Sequence, residues 1–513
     1  MQSLLFCGTR WARVQEKEVI EEAAKHDLVV AKAALRKLVE CSNASEVLAK
    51  AIECCPGPIV TLALVEEIEE NIESAKKAKQ ITVFHGTEYK PLAAEAESKL
   101  RVLEDRDVTG KSRCTGSVED FANCFRDRFR RISSILRERV SQNSVTKISA
   151  VKNLASGRPS RVIGMVYEKR ETKNGHVIIE LEDEEDSVPV LVARDSPIKA
   201  KAAEVILDEV IAVDGVMSGS LFVARDITWP ETPFTQPKRV EDDVSIAFVS
   251  DTHVGSKLFL QDQFQRFLNF LNGNGTREEQ EIAGKIKYVA IAGDVVDGVG
   301  IYPSQEKELA TKDIYTQYEI FGELIKKIPE YVEVIIIPGN HDAVRLAEPQ
   351  PAFPSELVKN FSGLKNVHLT SNPGWAEVHG LKLVMYHGAG IHSLVGSLPI
   401  LRGAYEAPEK AAVEMLRRRH LNPIYGEEPL APEHRDYLVL DEVPDLLHFG
   451  DLHKNGYGTY RGTLVVNSGC WQARTEYQVK KGHHPTPCLL PVYNMKTGNL
   501  RVLDFNAEKI IGT

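Results

Sequence analysis

The 513-residue sequence has little of what several large classes of protein need. Its eight cysteines are scattered and form no C-x-x-C pair, so neither a disulfide framework nor a zinc knuckle is indicated. No apolar run approaches the roughly 18–20 residues that a bilayer span needs. Residues 1–22 mix charged with apolar side chains, unlike a secretory signal. We therefore expect a cytoplasmic protein without a membrane span.

An excess of positive charge is also lacking, since the formal net charge is −10. A protein that holds nucleic acid by itself usually has a basic face, because phosphate neutralisation dominates such affinity. The acidic balance argues against strong autonomous DNA binding. It leaves room for a local basic groove, or for a partner that holds the DNA.

Length and periodicity divide the chain into several parts. Its length predicts about three domains. Residues 1–80 have helical periodicity and predict a small helical module, suited to contacts with another protein. Residues 81–115 lose this periodicity and are polar, which predicts a moderately mobile linker.

Residues 116–143 predict a connecting helix. Apolar residues recur from Phe121 onward at three- and four-residue steps, so one face should be buried. Ser117 and Asp120 form a start similar to a capping box. The basic residues lie mostly on other faces: Arg126, Arg128, Arg130, Arg131, Arg137 and Arg139. We expect a solvated face, with contact to a partner or to nucleic acid as the alternative.

Residues 144–236 predict a small β-barrel. Apolar and polar side chains alternate there, and Asn174–Gly175 supplies a hairpin turn. Five or so short strands in one such segment suggest a barrel of the OB type. These barrels often bind single strands through aromatic side chains, but the strands here offer only Tyr167 and Phe222, and residues 180–187 are acidic. Protein docking is the favoured interpretation, and single-strand binding is the alternative.

Residues 237–513 repeat one pattern five times: an apolar run of β type ends, and side chains able to bind a metal follow at once. In chain order the five groups are Asp251 with His253, Asp294 with Asp297, Asn340 with His341 and Asp342, His387 alone, and Asp451 with His453. Each match is weak by itself, because an isolated histidine is more often structural than a ligand. In layered α/β proteins, however, strand ends face a common crevice. We therefore expect the five groups to converge.

The types of these side chains limit the metal. Carboxylate, amide and imidazole groups without thiolate suit Mn²⁺, Fe²⁺ or Zn²⁺ better than Cu⁺ or an iron–sulfur cluster. Their number exceeds what one ion needs, so we expect two ions. Two ions about 3.5–4 Å apart clamp the attacking and leaving oxygens of a phosphoryl displacement and make hydroxide available near neutral pH.

The five motifs, D-x-H, G-D-x-x-D, G-N-H-D, H-G and G-D-x-H, resemble those of the calcineurin-like metallophosphoesterase superfamily. Within it, the order of barrel then phosphoesterase is similar to the small subunits of archaeal D-family DNA polymerases, as are FRDRFRRISSILRERV, LRRRHLNPIYG, VPDLLHFGDLHKNGYG and LVVNSGCWQ. The resemblance covers about residues 115–510. It implies a multidomain α/β protein with a helical N-terminal module, an OB-type barrel, and a phosphoesterase β-sandwich flanked by helices.

The resemblance also implies a role for each residue of the pattern. Seven side chains would be ligands, three on the first ion, one bridging and three on the second: Asp251, His253 and His453; Asp294; and Asn340, His387 and Asp451. His341 would be the general acid or would stabilise charge on the leaving 3′ oxygen. Asp297 and Asp342 would orient the ligands through hydrogen bonds.

One position departs from the family's pattern. The last motif is usually G-H-x-H, whereas Asp451 stands at its first histidine here. A carboxylate can replace an imidazole on a hard ion, and its added negative charge favours Mn²⁺ or Mg²⁺ over zinc. The expected cofactor is two divalent ions, with Mn²⁺ preferred and Fe²⁺, Mg²⁺ or Zn²⁺ as alternatives. The replacement also leaves weakened activity open.

The activity implied by the resemblance is a 3′–5′ proofreading exonuclease. Its partners would be a large polymerase subunit, the DNA primer 3′ end and, through the complex, a sliding clamp. Arg417, Arg418 and Arg419 would either form a surface helix end or steer the primer's phosphates. Two other functions stay open: a metallophosphatase, and a scaffold with an inactive site that docks the large polymerase chain.

Overall fold

The computed structural model describes residues 16–26, 28–40, 44–55, 57–66, 68–69, 89–139 and 145–511. The chain forms two compact units that divide between Glu88 and Tyr89. In the described part of the chain, every helix is too short or too polar to cross a membrane.

The first unit is a small helical module around one parallel strand pair. Its elements are helices Glu16–Ala24 (α1), Lys32–Glu40 (α2) and Ala44–Cys54 (α3), with strands Val29–Val30 (β1) and Ile59–Val60 (β2). Val19, Leu38, Val47 and Val65 form its apolar core. Of the module expected over 1–80, residues 1–15 and 70–80 lie outside the described residues.

The polar segment expected to be a linker is ordered from residue 89 onward, which corrects that expectation. It contains helix Leu92–Glu95 (α4) and strand Leu100–Val102 (β3), which pairs antiparallel with residues 376–378. Asp107 accepts a hydrogen bond from the Thr370 hydroxyl at 2.8 Å. The segment has little periodicity because it follows the surface of another domain, and backbone pairing holds it there. Residues 81–88 lie outside the described part.

Helix Val118–Arg139 (α5) forms where the apolar spacing predicts a helix, and residues 140–144 are not described. Its start is capped reciprocally: Asp120 N–H donates to Ser117 Oγ at 3.2 Å, and Ser117 N–H to Asp120 Oδ2 at 3.1 Å. The expected solvated arginine face is wrong for Arg128. This side chain is buried, and its Nε lies 2.7 Å from Asp436 Oδ2.

The five-stranded barrel expected after this helix is confirmed. Its elements are helix Ile148–Val151 (α6), strands Pro159–Glu171 (β4), Val177–Glu182 (β5) and Ser187–Val192 (β6), helix Lys199–Ala203 (α7), and strands Val210–Ser218 (β7) and Leu221–Thr228 (β8). The closed order is β4-β5-β6-β8-β7, with β6 and β8 parallel and the other pairs antiparallel. Gly175 has φ 79° in the hairpin between β4 and β5, and Phe222 fills the interior while Tyr167 stays exposed.

The remaining chain, together with β3, forms two six-stranded sheets with helices. The strands are Ser245–Val249 (β9), Ile286–Ala292 (β10), Glu333–Ile337 (β11), Val367–Leu369 (β12), Gly374–Val378 (β13), Leu381–Tyr386 (β14), Leu446–Phe449 (β15), Asn455–Tyr460 (β16), Thr463–Ser468 (β17), Leu489–Asn494 (β18) and Leu500–Asp504 (β19). The helices are Gln261–Leu271 (α8), Arg277–Ala283 (α9), Ile314–Ile325 (α10), Gly390–Ser397 (α11), Glu409–Arg418 (α12) and Glu476–Lys481 (α13).

The two sheets pack face to face and place several parallel strand ends along one edge. Their orders are β12-β11-β10-β9-β18-β19 and β16-β17-β15-β14-β13-β3. Phe248 and Tyr288 of the first sheet pack against Met385 of the second. Helices α8 and α10 cover the other face of the first sheet, and α11 and α12 that of the second. The expected mixed α/β, multidomain class is confirmed, and the carboxyl ends of β9, β10, β11, β14 and β15 meet in one region.

Candidate metal centre

The predicted ligands lie together at the carboxyl ends of these five strands. Each strand is buried on both faces and ends in a tight loop, so the first polar residues turn into the crevice between the two sheets. Five of the side chains are at least nine-tenths buried: Asp251, His253, Asp294, His387 and His453. The sequence pattern therefore located one region of space, although Asp251 and His453 are 202 residues apart.

The backbone at these positions is unusual. Five of the predicted ligands have positive φ angles: Asp251 52°, His253 48°, Asp294 50°, Asp451 65° and His453 55°. This left-handed conformation is uncommon for residues other than glycine and costs of order 1–3 kcal/mol each. Gly339 supplies the close approach that the loops need, because a methyl group there would overlap Asp294 Oδ1. Such a concentration of backbone strain is typical of functional sites.

Three overlapping groups of side chains could each hold a cation. In each group one ligand atom per residue lies within 4.8 Å of the others, and the groups are Asp251, His253 and His453; His253, Asp294 and His341; and Asp251, Asp294 and His387. Asp251, His253 and Asp294 each belong to two of them, so neighbouring groups share side chains. Oxygen and nitrogen donors without thiolate fit hard or borderline divalent ions. The residues present therefore fit two neighbouring ions.

The imidazoles and carboxylates of the centre are strongly coupled. His387 Nε2 lies 3.3 Å from Asp294 Oδ1 and 3.0 Å from Asn340 Oδ1. Burial works to raise the pKa of Asp294, but His387 and the other histidines lower it below its usual range. Burial works to lower the pKa of His387, while Asp294 raises it well above its usual value. The carboxylate and the imidazole thus each stabilise the charged form of the other.

Hydrogen bonds at the far nitrogens orient the histidine rings. His387 Nδ1 lies 2.8 Å from the carbonyl oxygen of Ala292, so this nitrogen carries the proton and Nε2 is left to bind a metal. His253 Nδ1 lies 3.1 Å from Asp297 Oδ1. The Nε2 atoms of His253 and His453 then face each other at 3.1 Å, as two ligands of one ion would.

Asp297 and Asp342 have many hydrogen-bond donors around them. Gln305 and Gln472 both donate to Asp297, at 3.0 and 3.1 Å. Asp342 accepts from Gly339 N–H at 2.8 Å and from other backbone and hydroxyl donors. Burial, and then the charge of Asp294, raise the pKa of Asp342 to about 7. These contacts fix the loops that carry the ligands.

His341 is placed differently from the ligand histidines. Its ring meets the His253 ring edge-on, with centroids 4.7 Å apart. Its backbone N–H donates to Asp294 Oδ1 at 2.8 Å, and its Nδ1 lies 2.8 Å from the carbonyl oxygen of Asp297. Burial lowers the pKa of this ring, against the opposing charge of Asp294. The ring is partly exposed, so it can meet a substrate.

Asp451 has a partner that the sequence pattern did not reveal. Its Oδ1 lies 3.8 Å from His387 Nε2, and its Oδ2 lies 2.8 Å from His392 Nε2. Burial works to raise the pKa of Asp451, but His392 lowers it. His392 stands in α11, in the helix that follows β14 rather than directly after the strand, so a search for side chains that directly follow strands does not find it. Gln478 was missed for the same reason, although its amide lies 2.9 Å from His453 Nδ1.

The three arginines at the end of α12 have protein partners. The partners are Glu204 and the Trp229 ring for Arg417; Glu209, Glu414 and the carbonyl of Glu204 for Arg418; and the carbonyls of Leu440 and Asp441 for Arg419. Arg418 and Arg419 are buried. Both expectations, a surface helix end and contact with the primer's phosphates, are wrong for these two side chains: neither lies on the surface, and burial keeps them from a phosphate. Arg417 and Arg418 tie the sandwich to the barrel instead, whereas Arg419 bonds within the sandwich.

Comparison with known proteins identifies the family. Residues 246–457 match the DNA polymerase alpha/epsilon B-subunit family. The DNA polymerase II small subunit of Methanocaldococcus jannaschii is 41% identical over 82% of this chain and 72% of its own length. That of Archaeoglobus fulgidus is 40% identical over 85% of this chain and 87% of its own.

The chain belongs to the family of archaeal DNA polymerase II small subunits. The DNA polymerase II small subunit of Pyrococcus horikoshii is also similar, with 38% identity over 86% of this chain and 73% of its own. Among solved structures, one described as a novel archaeal phosphodiesterase is 13% identical, with a TM-score of 0.27, and covers 51% of this chain and 99% of its own. The identities to the three archaeal small subunits confirm the resemblance to the small subunits of archaeal DNA polymerases.

A buried glutamate beside the centre gives this polymerase chain a testable pH dependence. Glu348 accepts a hydrogen bond from Tyr386, the residue before His387, at 2.9 Å, and burial raises the pKa of Glu348 to about 7. The folded protein thus holds this proton more tightly than the unfolded chain, and stability is lost as the pH rises between the two pKa values. We expect Glu348→Gln to gain up to about 3 kcal/mol relative to the parent protein between about pH 5 and pH 8.

Thermal unfolding of both proteins across this pH range measures the effect. Glu323→Gln, on the exposed side of α10, is the matched control, and its difference from the parent should stay flat. A constant offset between Glu348→Gln and the parent at every pH would contradict the prediction.

Proposed function

We propose that this small subunit is a metal-dependent phosphodiesterase that removes nucleotides from a DNA primer 3′ end. The observation that carries the proposal is the convergence of Asp251, His253, Asp294, His387 and His453 on adjoining cation sites. In such a fold, which we take to be calcineurin-like, the same geometry suits the cleavage of a phosphodiester.

Two divalent ions would be held by the residues that the sequence pattern named. Asp251, His253 and His453 would hold the first, Asp294 would bridge, and Asn340 and His387 would hold the second with Asp451 beside them. When bound, the ions would supply hydroxide near neutral pH and would neutralise charge on the phosphate oxygens. Mn²⁺ is the ion we favour, because carboxylate replaces imidazole at Asp451.

His341 would act on the leaving 3′ oxygen. Its Nδ1 lies against a carbonyl oxygen and so keeps a proton, which leaves Nε2 for exchange with substrate. Burial lowers the pKa of the free ring, but a bound phosphodiester brings negative charge that raises it again. The ring can therefore take a proton as substrate binds and donate it as the bond breaks.

The partners would be those of a replicative enzyme. A large polymerase subunit would dock on the barrel, which we take to be of the OB type, and on the adjoining sandwich. Barrel and sandwich are joined by buried ion pairs, such as Arg418 Nε to Glu209 Oε2 at 2.8 Å. The two domains would therefore present one rigid surface to the large subunit. A sliding clamp would be reached through the complex.

Digestion of an end-labelled, mispaired primer in Mn²⁺ tests the proposal, with and without the large subunit. We expect nucleotides to be released from the 3′ end, and His341→Ala to lower the rate about a hundredfold, as for a lost general acid. His434→Ala, at a surface groove beside α5, is the control and should digest normally.

The other functions predict different outcomes. A metallophosphatase would hydrolyse a chromogenic monoester much faster than single-stranded DNA. A scaffold with an inactive site would bind the large subunit but retain no manganese or iron after supplementation. Either result would overturn the exonuclease proposal.

A further inference from the structure

Three aromatic side chains form a row that leads away from the metal centre. The row starts at His392, whose Nε2 lies 2.8 Å from Asp451 Oδ2. The Tyr405 ring follows, with its centroid 5.7 Å from that of His392 and its hydroxyl 3.2 Å from His392 Nδ1. The His483 ring then stacks on Tyr405, at 4.9 Å and an interplanar angle of 25°. The row thus extends from a predicted metal ligand toward the surface.

The chain segments that carry the row are fastened to the loop of the metal ligand His453. Thr486 N–H donates to the carbonyl oxygen of His453 at 2.9 Å. Lys454 Nζ donates to the carbonyl oxygen of His484 at 3.2 Å and to Glu406 Oε2 at 2.5 Å. The segments around Tyr405 and His483 are therefore both held by the residues that directly follow the centre. The position of the row relative to the metals is fixed before any substrate binds.

The row is accessible to solvent, and its aromatic faces suit the binding of a flat, uncharged ring. His392, Tyr405 and His483 are all partly exposed. Burial, and then the nearby cations His392 and Lys481, lower the pKa of His483, so this ring is neutral at neutral pH. The same lysine lies over the exposed Tyr477 ring, 5.7 Å from its centroid. Aromatic faces beside cationic side chains are the combination with which proteins hold single-stranded nucleic acid.

We propose that His392, Tyr405 and His483 form a base-stacking subsite that holds a nucleobase of an unpaired strand end beside the bond to be cut. The inference rests on the proposed exonuclease function. Every base has a π face, so stacking tolerates any sequence. A base inside a duplex has both faces covered by its neighbours and must first leave the stack, which costs energy that a mismatched end has already lost. The subsite would therefore select unpaired ends by shape.

The test compares two single strands that differ only in their last two nucleotides, which carry bases in one and are abasic in the other. We expect His483→Ala and Tyr405→Leu each to lower kcat/KM on the ordinary strand about tenfold, equal to about 1.4 kcal/mol. On the abasic strand the loss should be much smaller, because no base reaches the row. Tyr457→Leu, an exposed tyrosine of β16 that lines a surface groove with Lys238 and Arg239, is the matched control.

The possible outcomes distinguish a failure of the stacking subsite from a failure of the proposed exonuclease function. An equal loss on both strands would mean that the row only supports the metal loop, and it would overturn the subsite, as would no loss on either. Bound metal and the unfolding midpoint, measured in each variant, identify a protein that has merely lost its structure. His483→Ala, at the outer end of the row, then decides. A parent protein that cleaves neither strand would overturn the exonuclease proposal itself.

Discussion

Asp294→Asn should lower metal-dependent hydrolysis about a thousandfold or more while leaving the fold intact. Asp294 belongs to two of the three groups of described residues that could hold a cation, and its carboxylate balances the charge of His387. Asparagine has the same shape but no charge, so both ion sites should weaken together. A loss of roughly 4 kcal/mol of transition-state stabilisation corresponds to this factor. Metal content and primer digestion, measured on the same preparation, check the prediction.

Asp262→Asn is the matched control, because Asp262 is exposed in the first turn of α8. It should keep both metal and activity. If Asp294→Asn bound two metals per chain and digested the primer at the parental rate, a bridging role for this carboxylate would be refuted.

Arg418→Leu should lower the stability of the second unit by about 3–5 kcal/mol, because it leaves buried carboxylates without their cation. The Arg418 side chain is fully buried, and its Nε lies 2.8 Å from Glu209 Oε2. Its guanidinium also pairs with Glu414 and donates to the carbonyl oxygen of Glu204 at 2.7 Å. Burial raises the pKa of Glu209, and Arg418 opposes this. Thermal unfolding measures the loss.

A second replacement tests whether the unpaired carboxylates cause the loss of stability. Adding Glu209→Gln to Arg418→Leu removes one of the stranded charges and should recover part of the stability. Arg277→Leu is the control, since this arginine is exposed on α9 in a surface ion pair, where little change is expected. If Arg418→Leu unfolded at the same midpoint temperature as the parent protein, the ion pairs of Arg418 would contribute nothing to stability.

Local signals predicted the elements whose cause is local. The capping of α5 by Ser117 and Asp120 and the hairpin at Gly175 follow from chemistry within a few residues, and the structure has both. Alternation of apolar and polar side chains predicted a barrel, because a closed sheet buries one face of each strand. The linker expectation was wrong over 89–115, because β3 is held by pairing with a strand 276 residues further along, and no local pattern records that pairing.

The residues of the candidate site also divide into those that a local sequence pattern predicted and those that it missed. Asp251, Asp294 and His387 could be named because each follows a buried strand, and strand ends converge in this architecture. His392 and Gln478 could not, because each stands in a helix and reaches the site only through the packing of that helix. Their neighbours in sequence give no sign of it.

By itself, the sequence determined the kind of architecture and the set of side chains that could hold a metal. Apolar runs, turn residues and donor types can all be read from consecutive residues. Only the tertiary structure decided which charges are buried. Arg128 and Arg418 look in sequence like any solvated base, but Arg128 pairs with Asp436 and Arg418 with Glu209, each of which lies in a distant part of the chain. Burial of a charge depends on those distant partners, and the fold alone brings them together.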